Sequence, residues 1–217
     1  MLRIFIGIDA RQPIAYHVLV SSIQRRASRP VAITPLILEQ LPIQRQGLTT
    51  FTFSRYLVPY LCGYEGQGLF IDSDMILLDD IAKLFDSATG AAVDVVPFAG
   101  KFGFERPSVM LFDCAQCKDL TPELIETGNP QDFSWAPSVG SLSEDWNHLV
   151  GYSLPNPHAK LIHYTQGVPG YKECRDCEYS LEWFAEKEAM LDTCSWLEIM
   201  GNSVHAPYVL EKLRAKM

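Results

Sequence analysis

No uncharged apolar run in these 217 residues approaches the length of a membrane span, so no transmembrane segment is expected. A secretory signal is not expected either, because Asp9 interrupts a very short apolar stretch at the N-terminus. Low-complexity and linker-like segments are lacking, and with 47% hydrophobic and 20% charged residues the chain can bury one substantial core. The expectation is a single domain over residues 1–217, with 192–217 as a C-terminal helical extension. Basic residues are in deficit, 18 against 26 acidic ones. The net charge of -8 makes the electrostatic term repulsive for nucleic acid and for an anionic membrane surface. An anionic ligand would need a local cation. A cytoplasmic location is expected, and oligomerisation is left open.

Two familiar constellations are also missing. No G-x-G-x-x-G follows the first apolar strand, so a diphosphate cradle built from backbone alone is not expected. The cysteine pairs Cys114/Cys117 and Cys174/Cys177 lie much farther apart than the halves of a zinc ribbon. Free thiols in a reducing compartment are expected instead.

What the chain does have is the stretch Gly68 to Phe85, GLFIDSDMILLDDIAKLF. Leu69, Phe70 and Ile71 read as a fully buried strand, and Asp72 and Asp74 come where it leaves the sheet. Side chains two positions apart lie on the same side of an extended backbone, so the two carboxylates can converge on one cation. Oxygen ligands suit Mg²⁺ or Mn²⁺, and such an ion keeps open positions for phosphate oxygens. The competing reading is a solvated turn, where acids are common.

Around this stretch the pattern is α/β. Arg3 to Ile8 reads as a buried strand ended by Gly7 and Asp9, at the edge where open α/β sheets bind ligands. Pro13 starts a helix with Ile14, Ala15, Val18, Leu19 and Ile23 at helical spacing, on which His17 reads as a surface residue. Val31 to Leu38 is an expected strand, placed near an edge or bulge by Pro35. Phe53 to Leu61 is expected as a helix capped by Ser54 or Thr52 and distorted at its end by Pro59.

A helix of roughly eight residues is about 12 Å long and a five-residue strand about 17 Å. A helix running back along the next strand therefore puts Arg55 level with the Asp72/Asp74 pair. There Arg55 would orient a carboxylate or hold a phosphate, unless it is a plain surface arginine.

Farther along, Asp79 or Asp80 caps a short helix, and Ala92 to Pro97 and Ser108 to Asp113 read as buried strands. Gln131 to Asn147 mixes polar and aromatic residues, so Trp135 and Trp146 either face a sugar or pack in the core. Lys160 to Tyr164 is a last apolar strand carrying His163, followed by a turn with Gly167 and Gly170. Ser180 to Leu191 reads as an amphipathic helix with Leu181, Phe184 and Met190 among its apolar residues, and Pro207 to Lys216 as a terminal helix.

Four blocks, IFIGID, FTFSRYLVPYLCGY, LFIDSDMILLDDIAKLF and HYTQGVPGY, occur in this order over about residues 2–190 and resemble glycosyltransferases of the GT-A fold. The resemblance is to the family 8 group in particular, with its glycogenin-like and bacterial galactosyltransferases. It implies a mixed, mainly parallel sheet sandwiched between helices, and transfer from a nucleotide-sugar, a UDP-sugar, to a carbohydrate or other hydroxyl acceptor with retention. By the same resemblance Asp72, Asp74 and His163 hold Mn²⁺ or Mg²⁺. Gly7, Ile8, Asp9, Arg55, Asp72, Ser73, Asp74, Gly167 and Lys172 contact the donor, with Asp9 on the nucleoside.

A retaining transfer needs the far face of the anomeric carbon stabilised or attacked, and Asp132 is the candidate carboxylate, with Arg55 as the second catalytic candidate. Arg106 stands where the family has an asparagine-containing sugar contact and is left unassigned.

Two other readings stay open. DSDMI also fits the D-x-D-x-[TV] motif of haloacid-dehalogenase-like phosphatases, with Ile76 in the last place, although that motif normally opens its domain and here a β-α-β-α section precedes it. The second is an inactive carbohydrate- or nucleotide-binding module of the same fold.

Overall fold

The computed structural model describes residues 1–97, 107–192 and 194–215; Arg106 and Lys216 lie outside the described residues. The chain opens with β1 (Leu2–Gly7), α1 (Pro13–Arg26) and β2 (Val31–Leu36), and then a 3-10 turn (Ser54–Leu57) runs into α2 (Val58–Leu61). β3 (Gln67–Asp72), β4 (Met75–Leu77), α3 (Ile81–Asp86), β5 (Val93–Val95), β6 (Val109–Asp113), α4 (Pro122–Thr127) and β7 (Val139–Ser141) follow. The last elements are β8 (His148–Leu149), β9 (Leu161–His163), α5 (Ser180–Leu191), α6 (Trp196–Met200) and α7 (Ala206–Arg214).

Six strands form one sheet in the order β2-β1-β3-β6-β5-β7, and three form a second in the order β4-β9-β8. In the larger sheet β1 pairs parallel with β2 and β3, and β5 with β7, while β6 runs antiparallel to both its neighbours. The fold is therefore a mixed, mainly parallel α/β sheet. Pro35, which has no N–H to give a ladder, sits in the edge strand β2 opposite Ile6.

The period of two in β1 and β3 divides the core. Phe5 and Phe70 point to one face, with Met110, Phe112, Tyr56, Leu57 and Trp135. Ile4, Ile6, Leu69 and Ile71 point to the other, under Leu19 and Ile23 of α1 and Ile81 and Leu84 of α3. A third cluster joins Ala15 and Val18 of α1 to Ile76, Ile162 and Trp183, so the small sheet is held between α1 and α5. Buried Ser22 ties α1 to β4: its hydroxyl donates to Leu19 O (2.7 Å) and accepts from Leu77 N–H (3.0 Å).

Several expectations are corrected. Phe53 to Leu61 is not one helix, because Pro59 has no N–H for the bond that would continue an α-helix over the turn before it. Residues 54–57 tighten to 3-10, and neither Ser54 nor Thr52 caps the segment. The Thr52 hydroxyl instead accepts from the Thr49 N–H at 3.0 Å. Between Asp79 and Asp80 the cap falls to Asp80, which accepts from Ala82 N–H.

Trp135 and Trp146 are core residues rather than sugar platforms: both are buried, and the Trp135 indole donates to Pro130 O at 2.8 Å. On α5 the inward face is Trp183 and Glu186, the latter between Arg25 and Arg26 of α1, while Leu181 is 80% exposed. Among the described residues of 192–217 are two short helices, α6 and α7, neither of which holds a buried residue.

Removing the fully buried indole of Trp183 should open a cavity and lower stability by about 3–5 kcal/mol. Leu181→Ala should stay within about 0.5 kcal/mol of wild type. Urea unfolding of Trp183→Ala and Leu181→Ala checks the orientation of α5; equal losses would refute it.

Candidate active site

Strand register places the site. Gly7 pairs with Asp72, so β1 and β3 end together at one edge of the large sheet. β6 runs the other way and pairs Val109 with Ile71, so Pro107 and Ser108, just before it, reach the same edge. The chain then takes two residues, Ser73 and Asp74, to cross into β4 of the small sheet. There Met75 pairs with His163, and Tyr164 N–H donates to Asp74 O at 2.9 Å. Leu149 pairs with His163 from the other side, bringing Asn147 beside the imidazole.

The result is a compact group. Asp72, Asp74 and His163 each offer a ligand atom within 4.8 Å of the others, and among the described residues no other three such side chains come together. His163 Nε2 lies 3.4 Å from Asp74 Oδ1, a buried oxygen that accepts no hydrogen bond among the described residues. Arg55 Nη2 lies 3.1 Å from Asp72 Oδ1, and the Arg55 Nε–H donates to Phe51 O at 3.3 Å. The guanidinium also sits 4.9 Å from the centre of the Phe70 ring, which fixes its plane. His163 Nδ1 is 3.0 Å from Asn147 Oδ1, and Asn147 Nδ2 donates to Ser108 Oγ at 2.7 Å.

Among the described residues, one guanidinium stands beside two carboxylates, which leaves a net negative charge in that group. Carboxylate oxygens within 4.8 Å of each other repel, by roughly 3 kcal/mol or more at an effective dielectric of about 20 before solvent screening. A divalent cation at that point would offset the repulsion and fill the coordination of Asp74 Oδ1. Two carboxylates with one imidazole suit Mn²⁺ and, less well, Mg²⁺. The residues fit such an ion.

Above the group lies a cavity of about 300 Å³, walled further by Leu48, Phe51, Pro107, Gln131 and Thr165. Phe51 packs against Gly7, where a Cβ would come within 2.5 Å of its Cγ, so the glycine is what lets this wall approach the sheet.

Other candidate residues are less central. Ile8 is half-buried, and its carbonyl accepts from Thr50 Oγ1 at 3.1 Å; Ser73 is buried between the two acids. Asp9 does not line the cavity. Its buried carboxylate takes three bonds from the Arg11 guanidinium, the shortest 2.6 Å, and one from the Arg11 backbone N–H at 2.9 Å. The guanidinium bonds hold its pKa below the ordinary 3.8, against the desolvation that raises it.

Gly167, with φ of +119°, packs on the Tyr171 ring, and Lys172 is exposed on a 3-10 turn; neither lines the cavity. Asp132 is exposed, its carboxylate turned back onto Ser134 N–H (2.9 Å) and Asn129, and its neighbour Gln131 faces the cavity in its place. Among the described residues the two C-x-x-C pairs form no metal-holding group: Cys114 and Cys117 are buried in the core, where Cys114 shares a side-chain hydrogen bond with Cys62, Cys174 and Cys177 are half-buried, and all six cysteines are free.

No family model matches the chain. It is 32% identical over 229 residues to Protein CDI of Arabidopsis thaliana, and the match covers 86% of each. The chain belongs to the family of Protein CDI. Among solved structures it is similar to the glycosyltransferase GlyE of Streptococcus pneumoniae TIGR4, with a TM-score of 0.64 and 18% identity over 98% of this chain and 64% of that one. It is also similar to the galactosyltransferase LgtC in complex with donor and acceptor sugar analogues, at a TM-score of 0.60 and 10% identity over 91% of this chain and 99% of that one. Similarity to the bifunctional glycosyltransferase WbbM, at a TM-score of 0.62 and 14% identity, covers 97% of this chain, which spans about half (51%) of that one. At these identities the likeness is one of fold, that of GT-A-like glycosyltransferases. No helix among the described residues is long and apolar enough to cross a membrane.

The Asp9–Arg11 pair gives a pH dependence with a defined sign. Because the folded pKa of Asp9 is depressed, its contribution to stability is present above the ordinary value of 3.8 and is lost as pH falls through the lower folded value. Asp9→Asn should flatten this part of the acid limb of a pH–stability profile, measured by urea midpoints, and leave the profile near neutral pH parallel to wild type.

Proposed function

We propose that this protein is a metal-dependent glycosyltransferase that moves a sugar from a UDP-sugar to a hydroxyl-bearing acceptor with retention of configuration, in the manner of the family 8 enzymes. The observation that carries the reading is the convergence of Asp72, Asp74, His163 and Arg55 beneath a cavity at the edge where β1 and β3 end. That edge is where open α/β sheets bind ligands. The neighbours of similar fold, glycosyltransferases by name, favour the same reaction class.

In this reading Asp72, Asp74 and His163 hold Mn²⁺ or Mg²⁺, which when bound supplies Lewis-acid stabilisation to the leaving diphosphate. Arg55 fixes Asp72 through its planar donors and offsets one of the two negative charges, so the acids stay aligned when the donor is absent. Phe51 and Leu48 give the cavity an apolar wall, and the Gln131 amide and Thr165 hydroxyl are the polar groups available to sugar hydroxyls. Gln131 takes the place first considered for Asp132, whose carboxylate is bound to its own turn.

A phosphatase of the haloacid-dehalogenase type would need Asp72 as a free nucleophile. Its pairing with Arg55 and its place after a β-α-β-α section disfavour that use.

Thermal unfolding with Mn²⁺, with UDP and with both tests the proposal. Because the net charge of -8 repels UDP, the two should stabilise synergistically. A ligand at a hundredfold its Kd adds about 2.7 kcal/mol. Mn²⁺-dependent hydrolysis of a UDP-sugar should accompany the synergy, and both should be lost in Asp74→Asn. Arg55→Lys should keep the fold and lose kcat/KM by about 10- to 100-fold, since the charge remains but the planar geometry does not. Cleavage of an aryl phosphate with Mg²⁺ would favour the phosphatase, and UDP binding without turnover on any UDP-sugar would favour an inactive module.

A further inference from the structure

We infer that Asn147 is a positioning residue that fixes the ring orientation and tautomer of His163, so that Nε2 is presented to a cation as a lone pair; the inference rests on the metal site proposed above. Asn147 is wholly buried and is set by backbone structure, between the 3-10 turn Glu144–Trp146 and β8, where its own N–H donates to Glu144 O at 3.1 Å. In the structure the amide Nδ2 donates to Ser108 Oγ at 2.7 Å, and Oδ1 faces His163 Nδ1 at 3.0 Å.

An amide oxygen can only accept, so Nδ1 carries the hydrogen. In the neutral ring Nε2 is then an acceptor, 3.4 Å from the carboxylate oxygen Asp74 Oδ1. Two acceptors facing each other at that distance repel unless a cation lies near both. The chain Ser108–Asn147–His163 thus biases the imidazole toward metal ligation and away from a hydrogen bond with Asp74. It links the two sheets: Ser108 precedes β6 of the larger, Asn147 precedes β8 of the smaller, and His163 ends β9 of the smaller.

The first test is imidazole ¹⁵N NMR on metal-free protein at about pH 8, above the ordinary titration range of histidine. His163, identified by the signal lost in His163→Gln, should have a protonated Nδ1 and an unprotonated Nε2. The second test is Mn²⁺ binding by calorimetry. Asn147→Ala should weaken Mn²⁺ by about 10- to 100-fold with the circular dichroism unchanged, and Asn147→Asp, which keeps an oxygen acceptor in place, should recover most of that loss.

An Nε2-protonated His163 in wild type overturns the role of Asn147 while leaving the metal site standing, and this result does not depend on whether any variant folds. Folded Asn147→Ala that binds Mn²⁺ as tightly as wild type overturns it as well. Wild-type protein that binds no Mn²⁺ overturns the proposed function, and this inference with it.

Discussion

The two-residue step from Asp72 to Met75 is the constraint on which the site depends. Asp72 is the last residue of a strand buried in the larger sheet, and Met75 is the first of a strand in the smaller one, so Ser73 and Asp74 must cross between sheets at the ligand-binding edge. Register does the rest. The pairing of Gly7 with Asp72 brings in the first strand, and the pairing of Met75 with His163 brings in the last. A one-residue slip in the β4–β9 ladder would turn His163 to the opposite face, so the buried apolar residues that hold this register, Ile76 and Ile162 under α1 and α5, also hold the site.

Among the described residues, charge at the edge is arranged around two carboxylates and one guanidinium. Arg55 compensates Asp72, and its guanidinium is fixed by Phe51 and Phe70 rather than by a second acid. Asp74 Oδ1 accepts no hydrogen bond among the described residues and faces an imidazole whose own proton is committed to Asn147. Buried polar groups are ordinarily satisfied, and the exceptions mark places where something else binds. In an acidic chain such a point would repel a nucleotide until a cation arrives, which makes metal binding the natural prerequisite for donor binding in the proposed reaction.

Much of the frame was legible in sequence because it rests on local periodicity. The unbroken apolar runs Ile4, Phe5, Ile6 and Leu69, Phe70, Ile71 mark strands buried on both faces, and Pro35 marks an edge. The nearness of Arg55 to Asp72 follows from a chain segment running back along the next strand, and it holds although that segment is partly 3-10.

What could not be read depends on contacts distant in sequence. Asn147 and Ser108 are ordinary polar residues until strand pairing brings them to His163, and His163 itself stood out only through a family resemblance. Gln131 and Asp132 differ by one position, and only the fold of their turn decides which faces the cavity. On α5, Phe184 and Met190 of the expected apolar residues pack against the third cluster while Leu181 is exposed, and the buried positions are Trp183 and Glu186, the latter drawn in by two arginines on α1.

The central claim is that Asp72, Asp74 and His163 hold one divalent cation, and the most direct measurement is pulsed EPR of the protein loaded with one equivalent of Mn²⁺. The account predicts hyperfine coupling to a single imidazole nitrogen, abolished in His163→Gln, with the signal changed by UDP as phosphate oxygens join the ion. A spectrum without nitrogen coupling, or coupling that survives in His163→Gln, would contradict it.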